Sequence, residues 1–221
     1  MERNVDALLA AAAIDDGGGA DHYRAGRTDA GVHALGQVAS AVVTFTHPAS
    51  TLVRALNAQL PEDVRVLDVV DAPDSFHARF SARAKTYRYQ VRAGVVGDPF
   101  TRAFVWQIPE KLDVSAMRAA AAVLVGTHDF GAFRSAGTEV ASSIRTITRS
   151  EWLESERLVY EVSGDGFLRH MVRAIVGTLV EIGRGWRSAD SMARLLVRGT
   201  RAQAGATAPA HGLFLVRVDY D

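Results

Sequence analysis

The sequence predicts an α+β fold built on a largely antiparallel sheet, and three observations carry that expectation. Strand-like and helix-like segments are mixed without the strict βα alternation of a doubly wound sheet. Their order is strand, helix, strand, strand, then helix, strand, strand, helix and a last strand, which suggests two similar halves although no convincing internal repeat is visible. The chain has 221 residues, 48% of them apolar, enough to bury a core in one large domain or two small fused ones.

Taken in order, residues 4–14 form a short alanine-rich helix ended by Asp15, Asp16 and a triple glycine. The stretch AGRTDAGVHALGQV (25–38) follows, and residues 36–45 lead out of it as a buried strand. Residues 50–60 are helical, with Ser50 as N-cap and Pro61 as a stop. Residues 64–70 alternate like a strand. So do 84–92, where Tyr87, Tyr89 and Val91 fall on one face and Arg88, Gln90 and Arg92 on the other. The glycine-containing stretch RAGVVGDPFTRAF is the natural midpoint. It places a hinge near Ile108, between halves 1–107 and 108–221 of one continuous sheet. Residues 113–125 form an amphipathic helix closed by Gly126, and 146–153 and 158–163 are two strands joined by a charged turn. A long apolar helix at 166–182, a second helix at 188–197 and a final strand at 212–220 complete the chain.

Composition narrows the function. Without cysteine there are no disulfides and no thiolate metal sites, and a reducing cytoplasm is the expected home. The apolar run near the start is flanked by acids, lacks the basic region of a signal peptide and is too short to span a membrane. Formal net charge is zero, so no global basic field announces nucleic acid. Charge placement says more. Between Phe76 and Gln107 stand Arg79, Arg83, Lys85, Arg88, Arg92 and Arg102 with Asp98 as the one acid, while Glu62, Asp63, Asp68, Asp71 and Asp74 lie just upstream. Lys85 and Lys111 are the only lysines. That bias fits either a GC-rich genome or recognition of phosphate and bases by guanidinium forks.

Several groups could carry chemistry. Asp29 is either turn material or a carboxylate that meets a substrate; Arg27, two residues earlier, would share its face on an extended segment and favour its ionised form. A glycosidase would need a second carboxylate, but Asp165 reads more simply as the N-cap of the helix after it. No Gly-x-Ser-x-Gly elbow or phosphate loop is present, and His22, His33, His47, His77, His128, His170 and His211 show no metal-ligand spacing. Tyr87 is a core aromatic or a stacking platform beside Arg83, Lys85 and Arg88. Arg169 and Arg173, four apart on one helical face, either snorkel or address an anion. Leu213 sits at the start of the last strand, where packing alone would explain it.

Together these stretches closely resemble the TruA family of tRNA pseudouridine synthases. The likeness runs from AGRTDAGVHALGQV through SFHARFSARAKTYRYQV, LVGTHDFGAFRSAG, IRTITRSEW and GFLRHMVRAIVGTLVEIGRG to ATAPAHGLFLVRVDY. The resemblance implies the pseudouridine synthase fold, with two related α+β halves, a shared sheet and a central cleft. It implies an isomerase that converts uridine to pseudouridine in the anticodon stem-loop of tRNA, acting as a homodimer without a cofactor. Asp29 falls on the catalytic aspartate, Arg27 on the arginine that pairs with it and helps displace the base, and Tyr87 on the tyrosine that stacks on uracil. Arg173 falls on the cleft arginine and Leu213 on a leucine against the bound base. The carboxylate would act at C1′, at the base, or as a base toward the ribose, and the glycines around it would give clearance for a flipped nucleotide. The family also carries an N-terminal strand and a turn rich in Gly, Trp and Gln. Neither has a counterpart in MERNVDALLAAAAI, so a half without its first strand is expected, and an RNA-binding homologue without turnover is the alternative.

Overall fold

Alternation across ten residues, Ala84–Ala93, builds the strand around which the main sheet is ordered. The computed structural model describes residues 22–43, 46–94, 96–135 and 140–221, so the helix expected at 4–14 and the question of a missing first strand lie outside the described residues. In chain order these residues form β1 (His22–Arg24), β2 (His33–Ala34), β3 (Ala39–Ala41), α1 (Ala49–Gln59), β4 (Ala84–Ala93), β5 (Trp106–Ile108), α2 (Val114–Ala122), β6 (Gly126–Asp129), β7 (Ile144–Glu154), β8 (Leu158–Gly164), α3 (Met171–Gly183), α4 (Ser191–Arg198) and β9 (Leu213–Asp219). They divide into two compact units, one of 22–30, 37–82 and Asp221, the other of 31–36 and 83–220.

The larger unit holds a mixed, mostly antiparallel sheet in the order β2-β9-β4-β8-β7-β6, as the sequence predicts for an α+β protein. β4 lies between β8 and β9, antiparallel to both; β5 pairs parallel with Val91–Ala93 where β9 has ended. Tyr89 and Val91 are fully buried. On the opposite face Arg88 bonds Glu161 at 2.9 Å, and Arg149 reaches the other oxygen of the same buried carboxylate at 2.7 Å. Three strands are thus laced by charge on one face and by apolar packing on the other.

Helix α3 is apolar nearly all round and accordingly sits in the core, packed on α2 with Ile175 and Leu179 fully buried. It starts later than its periodicity suggests. His170 adopts a left-handed conformation (φ 61°), which breaks the helix before Met171. Asp165 is therefore not its N-cap. Its carboxylate accepts instead from the Thr146 amide at 3.0 Å. Arg169 likewise precedes the helix and shares no helical face with Arg173. At α2 the expected cap is present, with the Asp113 side chain accepting from Ala116 N at 2.9 Å, but the helix ends at Ala122 and Gly126 (φ 117°) opens β6.

In the smaller unit β1 and β3 form an antiparallel pair. The strand expected over 36–45 is confined to Ala39–Ala41 among the described residues. Helix α1 starts after Pro48, without a side-chain cap, so Ser50 lies inside the helix. Residues 64–70 form no strand. Val66 spends its amide and carbonyl on the side chain of Asn57, at 2.8 Å each, so a side-chain amide takes the place of a neighbouring strand. The acids Glu62, Asp63, Asp68, Asp71 and Asp74 are all exposed along this segment. Among the described residues no helix is long and apolar enough to cross a membrane.

Candidate active site

Asp29 lies in the irregular stretch between β1 and β2. Within the smaller unit the base of this stretch is held by Ala25 N donating to Val38 O at 2.9 Å and by Gln37 Nε2 donating to Gly26 O at 3.0 Å. Ala25 is buried, Asp29 is half-buried and Arg27 is exposed. One anchored turn thus offers a carboxylate and a guanidinium from adjoining backbone.

The glycines that follow serve the protein's own packing. Gly31 has φ +80°, which a side chain would resist. A Cβ on Gly36 would lie 2.5 Å from the Val216 carbonyl oxygen, so this glycine lets β2 come up against β9. At Gly36 the clearance expected for a nucleotide is filled by β9 backbone, and at Gly31 the Ala210 Cβ stands 3.4 Å away.

The other three candidates, Tyr87, Arg173 and Leu213, belong to the larger unit. Pairing of Tyr87 with Leu215 and Tyr89 with Leu213 puts all four side chains on one sheet face, with Tyr87 and Leu213 as diagonal neighbours. A bulge between Thr86 and Tyr87, where β9 carries an extra residue, re-aims the tyrosine locally. Its ring is half-buried and meets Phe167 edge-on, centroids 4.9 Å apart. The sequence does not single out Phe167, which falls inside the helix expected at 166–182 and in the structure precedes α3. Leu213 is buried at the start of β9 beside Tyr89. The Tyr89 hydroxyl donates to Pro209 O at 2.7 Å. Burial pushes its ionisation well above the ordinary tyrosine range, while the charge of Arg173 pulls the other way. Arg173 is half-buried on α3 and donates from Nε to Ala208 O at 2.8 Å. The turn before α3 is fixed by Ser135, whose hydroxyl meets His170 Nδ1 at 2.5 Å and whose amide donates to Arg169 O at 3.2 Å.

This unit therefore puts Tyr87 and Leu213 on one sheet face, where the start of β9 meets the middle of β4, and ties Arg173 to the segment that leads into β9. Such a set can hold a planar base by stacking and its phosphate by charge. Among the described residues no cluster of three His, Asp or Glu is placed to hold a metal ion.

A family model described as tRNA pseudouridine synthase matches residues 13–81 and 120–221, which include Arg27, Asp29, Arg173 and Leu213; Tyr87 falls between the two segments. The chain is 47% identical over 189 residues to the tRNA pseudouridine synthase A of Halalkalibacterium halodurans, covering 85% of this chain and 72% of that protein. It is 48% identical over 200 residues to that of Anoxybacillus flavithermus, covering 90% and 81%. Against the protein of the same name from Chloroflexus aurantiacus the identity is 47% over 201 residues, covering 89% and 72%.

Proposed function

Because the chain belongs to the tRNA pseudouridine synthase family, we propose that it isomerises uridine in the anticodon stem-loop of tRNA with Asp29 as the reacting carboxylate. The enzyme is an isomerase. The N1–C1′ bond of the uridine breaks, the base turns, C5 bonds to C1′, the proton on C5 leaves and N1 takes one up. Neither oxidant nor group donor enters that balance.

The observation that carries this reading is a likeness extending over 85% of the chain and including the Asp29 stretch within the family match. In this reading Arg27 steers the carboxylate and fills the space the base leaves, at a site that must unstack its nucleotide at a cost of roughly a few kcal/mol. Tyr87 stacks on the uracil, Arg173 holds an anionic group, and Leu213 keeps water from the detached base. Action as a homodimer, in the cytoplasm, belongs to the same proposal.

Release of tritium from C5 of uridines just 3′ of the anticodon tests it. Wild-type protein should release tritium, and Asp29→Ala should lose at least about a thousandfold of that rate. Tight RNA binding with no release by wild type would instead make the chain an RNA-binding homologue without turnover.

A further inference from the structure

A cavity of about 400 Å³ in the larger unit has no part in the site above. It opens where the chain loops out after β4 and returns as β5, and Arg102, Trp106, Gln107 and His211 help to line it. We propose that it takes a second nucleotide of the RNA substrate, unstacked from its neighbours, with Phe100 and Arg102 receiving it. This inference rests on the tRNA-modifying reading of the chain.

The volume suits one base with its sugar. Two of its lining residues pack next to elements that carry the proposed uridine site. Trp106 meets Tyr89 edge-on with centroids 6.2 Å apart. His211, which contacts the Val105 carbonyl at 3.2 Å, lies two residues before Leu213.

Charge selects the occupant. Asp98, on the cavity wall, is the only acid of the loop and is engaged locally: it accepts from Phe100 N at 3.0 Å and from Thr101 Oγ1 at 2.9 Å, with Arg92 3.6 Å away. These bonds fix the turn that presents the next residues. Arg102 is exposed and, among the described residues, has no hydrogen-bond or ion-pair partner. Phe100 is 89% exposed, whereas Phe104, further along the same loop, is anchored on His33 at 4.9 Å. An uncovered ring two residues from an unspent guanidinium, on a loop whose acid is paired with Arg92, is the combination that stacks a base and holds its phosphate.

The test compares wild type with Phe100→Ala, Phe100→Trp and Arg102→Gln. Tritium release from an anticodon stem-loop RNA gives KM and kcat, and titration with the same RNA gives Kd. Phe100→Ala should raise KM and Kd about 10-fold with a smaller change in kcat, and Phe100→Trp should restore both constants. Arg102→Gln should weaken binding and lower the slope of log affinity against log salt by about one. KM within twofold of wild type in both Phe100→Ala and Arg102→Gln would overturn the proposal alone. So would a change of oligomeric state in Phe100→Ala, which would make the loop a contact between copies of the chain. RNA binding that depends on Phe100 in a protein without turnover would sink the isomerase reading and keep this one. Absence of RNA binding by wild type would sink both.

Discussion

Arg173 and Ala208 hold each other at two points. The arginine Nε donates to the Ala208 carbonyl at 2.8 Å, and the Ala208 amide donates to the Arg173 carbonyl at 3.1 Å. The first turns of α3 are thereby tied to the segment that leads into β9. A guanidinium can be clamped through Nε and still point its terminal nitrogens elsewhere, whereas a lysine has a single nitrogen for both duties.

Arg173→Lys should therefore lower kcat/KM for tRNA by about 10- to 100-fold while costing about 1 kcal/mol of stability. Tritium release and urea denaturation read the two effects separately. An unchanged kcat/KM would remove Arg173 from the site.

Gly212 is fixed by its neighbour. A Cβ there would stand 2.6 Å from Tyr89 Cζ, and that ring is fully buried with its hydroxyl committed to Pro209. Gly212→Ala should destabilise the fold by about 2–3 kcal/mol, seen as a lower urea midpoint. It should also lower activity, because Leu213 is the next residue.

Alkali should unfold the protein through two tyrosines. Burial raises the ionisation of both Tyr89 and Tyr160 above the ordinary value near 10. Above that pH the unfolded chain loses protons that the folded chain keeps, so stability falls as pH rises. The slope approaches about 1.4 kcal/mol per pH unit for each group. Tyr160→Phe should make the fall measurably shallower in denaturation curves taken between about pH 9 and 11. An identical slope in the variant would show that other groups govern it.

His170 holds the left-handed conformation that ends the approach to α3. Asparagine tolerates that conformation and a β-branched residue does not. His170→Asn should cost less than about 1 kcal/mol and His170→Val about 2 kcal/mol or more, by chemical denaturation. Equal losses would assign the effect to the Ser135 contact instead.

What the sequence makes legible is what local pattern controls. The alternation in β4 reads directly as Tyr89 and Val91 inward and Arg88 outward, because one face of the strand is covered and the other is not. The Asp113 cap is a local contact and is found where the sequence puts it. The errors arise where a distant group intervenes. Asp165 looks like a cap until Thr146, nineteen positions away, takes its carboxylate. Residues 64–70 alternate like a strand, but the Asn57 side chain occupies the hydrogen bonds a ladder would use. Glycines 31 and 36 read as space for a ligand, and only the approach of β9 shows what fills the space at Gly36. Tyr87, Arg173 and Leu213 carry no local sign of being brought toward one another. Their grouping is a property of the β4–β9 pairing and of the Arg173–Ala208 clamp.

That pairing also sets an order of events during synthesis. β4 emerges from the ribosome well before β9, its neighbour on the side that carries Leu213. At about 5–20 residues per second, the interval is roughly 6–25 s. Over that time β8 covers one edge of β4 and β5 the far end of the other, while Ala84–Tyr89 stay open on the β9 side to pairing with any extended chain nearby. A nascent chain that stalls short of β9 therefore carries Tyr87 on a strand whose Leu215 side is bare.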